Sequence, residues 1–240
     1  MKGWRSNMSI QVVDPGHGGY DPGCSGNGLE EKDLTLDISR RVCQHLEAKY
    51  KTDAKMTRLS DKYISLQGRC DFANRLKAGS FLSVHINAGG GTGFESYVVP
   101  NAHPDSAGLL QKNVHKHMGP ILKKYDHRDR GKKKANFHVI RVSRMKACLV
   151  EIGFIDTDKD AKLLKSDAFL DDVAEALADA IADTEGLEKK VTEPKPEPDP
   201  DPEDTFFRVV AGSFQKKDNA EQRVKELEEK GFDAFIDAKH

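Results

Sequence analysis

The sequence predicts an α/β domain, a mostly parallel twisted sheet with helices on both faces, followed by a small C-terminal β-α-β appendage. Two observations carry this. Short apolar runs such as "IQVVD" and "SFLSVHINA" alternate with segments of helical periodicity. Strands that alternate with helices call for parallel pairing, because each crossover helix carries the chain back to the same edge of the sheet. The composition also breaks once, at "TEPKPEPDPDPED", residues 192–204, which holds five of the ten prolines.

The elements follow in order. Residues 1–9 are an N-terminal extension, and "IQVVD" (10–14) is the first strand. In "EKDLTLDISRRVCQHLEAKY", Leu34, Ile38, Val42 and Leu46 recur four apart, which is one face of an amphipathic helix. "DAKMTR" is the second strand, and "SLQGRCDFANRLKA" is a helix that stops near Gly79. "SFLSVHINA" is a nearly continuous apolar run, as a buried strand requires, and "FESYVVP" is another strand. Residues 105–126 are helical, "CLVEIGF" is a buried strand and "FLDDVAEALADAIAD" is the closing helix. A domain over residues 10–186 thus precedes a linker over 187–204. Prolines without backbone donors and mutually repelling acids keep that linker extended and solvated. In the tail, residues 205–240, "FFRVVAGSF" is a strand, "KKDNAEQRVKELEEKG" a helix and "FDAFIDA" a second strand. A lone unit of this size buries little apolar surface.

Composition narrows the function classes. With 37% hydrophobic and 32% charged residues and a formal net charge of -1, the surface is mixed and near neutral. It exerts no overall pull on nucleic acid or on an anionic membrane, and neither is expected as a partner. No stretch approaches the roughly 18 apolar residues of a membrane span. The N-terminus "MKGWRSNMSIQVVD" shows no apolar core of a signal peptide, so synthesis in a cytoplasm is expected. Cys24, Cys43, Cys70 and Cys148 lie far apart with no C-x-x-C pair, which favours reduced, packed thiols over a disulfide framework or a cysteine zinc site.

Four polar residues stand at or just after expected strand ends, or at the start of the helix that follows. His17 follows "IQVVDPG", Glu31 opens the first helix, His85 lies late in "SFLSVHINA" and Glu151 late in "CLVEIGF". Open α/β sheets bind ligands beyond the C-terminal ends of their strands, so these four have a common place to meet. Two imidazoles and one carboxylate suit a catalytic zinc with a position left open, and a further carboxylate suits a general acid-base. Taken singly, His17 is more readily a loop histidine than a ligand, and Glu31 more readily a first-turn acid favoured by the helix dipole. His85 and Glu151 are harder to dismiss, because an ionisable group inside an apolar strand is costly to bury without a partner. The adjacent Glu30 competes with Glu31 for the metal.

At these residues the chain resembles the zinc-dependent N-acetylmuramoyl-L-alanine amidases, enzymes that cut bacterial peptidoglycan. The resemblance rests on "VVDPGHGGYDPG", "EKDLTLDIS", "MTRLSD" with "LQGRCDFAN", "FLSVHINA" and "CLVEIGFIDTDKD", in order over residues 10–184. It implies a phosphorylase/hydrolase-like α/β fold, one catalytic Zn2+ held by His17, Glu31 and His85, and Glu151 as the catalytic acid-base. Glu31 is preferred to Glu30 because it directly precedes Lys-Asp, as the family ligand does. The implied reaction is hydrolysis of the amide between N-acetylmuramic acid and the L-alanine of the stem peptide. The implied partner is the cell wall, attacked by a phage endolysin or an autolysin. The class-level alternatives are a zinc peptidase cutting within the stem peptide and a catalytically silent wall-binding protein. The tail resembles half of a sporulation-related (SPOR) repeat, a module that binds glycan strands. A single half is either truncated, paired with the tail of a second chain, or partly disordered.

Four further expectations complete the reading. Asn87 either orients substrate or a ligand, or is an ordinary strand-end residue. The basic stretch "HRDRGKKK" (127–134) reads as a solvated loop, with contact to anionic wall components as the sharper alternative. His45, His103, His115, His117 and His138 are expected to be non-catalytic. Arg58 and Arg69 are given no chemistry.

Overall fold

In a computed structural model of the chain, the described residues are 8–190, 216–232, 234 and 236. The chain divides into two units, Met1–Val191 and Thr192–His240.

In chain order the first unit contains β1 (Ile10–Pro15), β2 (Ser25–Gly26), β3 (Leu29–Glu30), α1 (Glu31–Lys49), β4 (Asp53–Met56), α2 (Leu66–Leu76) and β5 (Ser80–Asn87). It continues with β6 (Phe94–Val98), α3 (Ala107–Lys124), β7 (Asp129–Lys134), α4 (His138–Val142), β8 (Lys146–Phe154), α5 (Asp158–Leu164) and α6 (Asp167–Glu185). Six strands form one sheet in the order β4-β1-β5-β8-β6-β7. The pairs β1–β4, β1–β5 and β5–β8 are parallel, β6 runs antiparallel to β8, and β7 lies parallel to β6 at the edge.

The core is two-sided, and strand periodicity sorts it. Val13, Leu82, Val84, Ile86, Cys148, Val150 and Ile152 face the layer built by α1, α3 and α6. Val12, Phe81, Ala147 and Leu149 alternate with them and face α2 and α4. The expected α1 stripe is buried in full: Leu34, Ile38, Val42 and Leu46 all lie in the first layer. Side-chain caps set two helix starts, with Ser65 accepting from the Gly68 amide at 3.1 Å and Ser166 from the Phe169 amide at 3.4 Å. Gly186, left-handed at φ 61°, ends α6. All four cysteines are free thiols, three of them buried. Among the described residues no helix is long and apolar enough to cross a membrane.

One expectation is corrected here. Residues 129–134 of the basic stretch are strand β7, not a solvated loop, because their backbone pairs with β6 and two of their cations are drawn onto one buried carboxylate. The hairpin β2–β3 and the short helices α4 and α5 are additions that the sequence reading lacked. In the second unit the helix α7 (Lys217–Glu228) is described. The expected strand "FFRVVAGSF", linker residues 191–204 and most of "FDAFIDA" lie outside the described residues.

Candidate metal centre and active site

The sheet order sets β1, β5 and β8 side by side and parallel, so their C-terminal ends open on one edge. His17 lies just beyond β1, His85 late in β5 and Glu151 late in β8. Glu31 starts α1 and returns to the same edge, almost fully buried. One atom from each of His17, Glu31 and His85 lies within 4.8 Å of the other two. This is the only such group of potential metal donors among the described residues.

Glu31 is the hub. Its Oε1 lies 3.2 Å from His17 Nε2 and 3.0 Å from His85 Nδ1, and it accepts the Ile86 amide at 3.0 Å. Its Oε2 accepts the Cys24 amide at 2.9 Å. Burial pushes the Glu31 carboxyl up, but the hydrogen bonds and charges of His17 and His85 outweigh it and hold the group well below the usual carboxylate range. Burial pulls His17 down, yet Glu31 and Asp21 together leave it above its ordinary value. Glu30, the competitor, sits in β3 with an exposed side chain that reaches toward Lys32 at 3.5 Å.

The tight loop before His17 has a physical purpose. His17 itself is left-handed, at φ 59°, a backbone state rare outside glycine. Its carbonyl accepts Arg69 Nη2 at 2.6 Å. Arg58 donates to the Pro15 and Gly16 carbonyls at 3.2 and 2.8 Å, and Thr35 adds a bond to Gly16 O at 2.8 Å. Arg69 is buried, pairs with buried Asp14 at 2.8 Å and also donates to Pro15 O. Asp14 is held further by Thr57 and Ser83, at 2.6 and 2.8 Å. Gly16 must lack a side chain, because a Cβ there would stand 2.5 Å from the His85 ring. The sequence reading gave Arg58 and Arg69 no role. They fix the loop that aims His17 through its backbone carbonyls, contacts that leave no signal in the sequence.

Glu151 completes the edge. It is the register partner of His85 on β5 and of Glu95 on β6, so the three side chains share a face. Its Oε2 is sealed from solvent and has no hydrogen-bond partner. Burial, with the carboxylates of Glu31 and Glu95, pushes Glu151 up to about 7 against the opposing pull of His85 and His17. A carboxyl poised there can both take and give a proton near neutral pH.

A match to a family model decides what the site belongs to: the N-acetylmuramoyl-L-alanine amidase model covers residues 12–183. The chain belongs to that family. The amidase is 40% identical over 225 residues to the sporulation-specific N-acetylmuramoyl-L-alanine amidase of Bacillus subtilis, spanning 93% of this chain and 82% of that one. It is 45% identical over 180 residues to the endolysin of Bacillus phage SPP1, covering 74% of this chain and 66% of that one. Among solved structures, it superposes on the catalytic domain of the amidase CwlV from Bacillus (Paenibacillus) polymyxa var. colistinus. That match has a TM-score of 0.70 at 31% identity, covering 75% of this chain and all of that one. A SPOR-domain model matches residues 172–238 of the amidase, beginning inside α6 rather than at the tail. Self-association through that tail has no support among the described residues.

The remaining expected residues fall as follows. Asn87 donates to Glu95 at 2.9 Å and so stands beside the site. His45, His117 and His138 are held elsewhere, by Asp171, Asp183 and Gln67. His115 contacts Ser96 and Asp129, and His103 lies exposed. Two residues at this edge carry no expectation from the sequence: Asp21, four positions after His17 and bonded to its ring, and Glu95, the register partner of Glu151.

Proposed function

We propose that His17, Glu31 and His85 hold one zinc ion and that Glu151 is the catalytic acid-base of this amidase. The reaction is hydrolysis of the amide between N-acetylmuramic acid and the L-alanine of the stem peptide in bacterial peptidoglycan. Residues 10–186 form the catalytic domain, and the tail beyond the linker adds glycan-strand binding. The observation that carries this reading is the convergence of two imidazoles and a carboxylate on one point, beside a buried carboxyl oxygen without a partner.

The donor set fits the ion: two imidazole nitrogens and one carboxylate oxygen would be the three protein ligands a catalytic zinc takes, with its fourth position going to water or substrate. When bound, zinc would supply Lewis acidity toward the scissile carbonyl and a nucleophile at neutral pH. The chain's own residues do the rest. Asp21 fixes the His17 ring from behind, and the Cys24 and Ile86 amides fix the Glu31 carboxylate. Glu151, level with His85 across the strand pair, accepts a proton as the amide carbon is attacked. It then returns that proton to the departing L-alanine nitrogen, which leaves as an amine.

Mass spectrometry of digested cell wall tests the reading. The wild type is expected to release peptides with a new L-alanine amine and leave free lactyl carboxyls on the glycan. Glu151→Gln is expected to slow this at least about a hundredfold, the usual scale for an acid-base group. New amines inside the stem peptide would instead mean a peptidase.

A further inference from the structure

A row of side chains crosses the sheet from the candidate metal centre to its edge. His85 on β5 pairs with Glu151 on β8, and Glu151 pairs with Glu95 on β6. On β7 the register shifts: Phe94 pairs with Asp129 and Ser96 with Lys132, so Arg130 and Gly131 together oppose Glu95. Gly131, at φ 86°, allows this bulge, and Asp129 Oδ1 accepts its amide at 2.8 Å. The bulge brings Arg130 into line with Glu95, Glu151 and His85.

Glu95 is almost completely buried yet receives four donors. Asn87 and Tyr97 donate to Oε1 at 2.9 and 2.6 Å. Arg130 Nε donates to Oε2 at 2.5 Å, and Lys133 Nζ donates to the same oxygen. One buried negative charge thus gathers two cations and leaves one positive charge in excess. Arg130 spends its Nε on Glu95 and stacks its guanidinium 4.8 Å from the Phe154 ring centre. Its Nη1 makes a long bond of 3.5 Å to Thr92 O, and its Nη2 has no partner among the described residues. Both cationic side chains keep partial access to solvent. A guanidinium held by Nε against a buried carboxylate, with a terminal edge to spare, is a preorganised receptor for another carboxylate.

We propose that Arg130 and Lys133, pinned by Glu95, form a subsite that binds a free carboxylate of the stem peptide and makes the amidase selective for acidic over amidated stems. The proposal rests on the reaction proposed above and names a substrate feature that the reaction does not require. Adjacent strands lie about 4.8 Å apart, so β7 is about 10 Å from Glu151. An extended peptide rises about 3.5 Å per residue, so that distance reaches free carboxylates on the second and third stem residues, counted from the scissile amide. Glu95 is a positioning residue and touches no substrate. Arg130 and Lys133 determine specificity.

The test compares two N-acetylmuramoyl tripeptides, one with free carboxylates on its second and third residues and one with those groups amidated. Steady-state kinetics on the full chain give kcat/KM for each, and calorimetry gives Kd for each. The wild type is expected to favour the free acid about tenfold, mostly through KM, the worth of one charge-assisted pair. Arg130→Gln and Lys133→Gln should each bring the ratio close to one. Lys132→Gln, an exposed lysine on the same strand, should keep it. Each variant leaves Glu95 one cation, and either one, shown to be folded by circular dichroism, reads the ratio. A wild-type ratio near one, or a ratio unchanged in both variants, overturns the subsite. If the wild type cleaves neither tripeptide, the proposed reaction fails, and the calorimetric ratio still decides the subsite by the same criteria.

Discussion

His17 holds Nδ1 3.0 Å from both carboxylate oxygens of Asp21 while its Nε2 stands 3.2 Å from Glu31 Oε1. Both carboxylates only accept, so both ring nitrogens are drawn toward carrying protons; when a metal replaces the proton on Nε2, Asp21 keeps the remaining one on Nδ1. Asp21 thereby sets both the tautomer and the aim of the imidazole. Asp21→Asn is expected to weaken metal binding about 10- to 100-fold while the fold persists. Competition against a chelator of known affinity measures this, and an unchanged affinity would remove Asp21 from the account.

Glu151 gives a stability signature in chelator-treated protein. Its carboxyl is raised from 4.5 to about 7, chiefly by burial. Below pH 4.5 folded and unfolded chains both keep the proton. Between 4.5 and about 7 the unfolded chain releases it and the folded chain does not, so stability falls as pH rises. Above that window the accumulated cost is about 3 kcal/mol. Chelated Glu151→Gln should therefore be more stable than chelated wild type at pH 8 by about that amount, with the difference vanishing near pH 4. Urea melts at several pH values check it; a difference that is flat with pH would contradict the burial of this group.

The Asp14–Arg69 pair is buried on both sides and carries the loop that ends in His17. Arg69→Met leaves the Asp14 charge without its partner and should cost about 3–5 kcal/mol. Asp14→Asn in the same chain should recover part of that loss. Denaturant unfolding of both variants measures the effect, and a single variant as stable as wild type would show that the pair is not structural.

Gly16 has no room for a methyl group, since the His85 ring occupies that space at 2.5 Å. Gly16→Ala should displace the ring and reduce metal affinity at least about tenfold. Isothermal titration of the chelated variant with zinc reads this, and wild-type affinity would mean that His85 is not a ligand in its present position.

Much of this was legible in the sequence, and the reasons are physical. Leu34, Ile38, Val42 and Leu46 announce α1 by period alone, and each is buried. His85 and Glu151 stood out because ionisable groups inside apolar strands need a purpose, and they prove to be direct neighbours across one strand pair. What stayed hidden depends on pairing between distant segments. Lys and Arg in "HRDRGKKK" give no strand period, so β7 emerges only through β6 and through Glu95, whose own environment is assembled from Asn87, Tyr97, Arg130 and Lys133. Arg58 and Arg69 act through backbone carbonyls of the loop before His17, contacts that no side-chain motif encodes. The antiparallel turn of β6 against β8 is equally invisible to a count of alternating strands and helices.

The central claim is that three of the four edge residues hold zinc and the fourth moves protons. Zinc per chain, measured by plasma mass spectrometry on purified Glu151→Gln and His85→Ala after dialysis against trace zinc, tests it most directly. The account predicts about one zinc per chain in Glu151→Gln and close to none in His85→Ala. Loss of the metal from Glu151→Gln together with full retention in His85→Ala would contradict it.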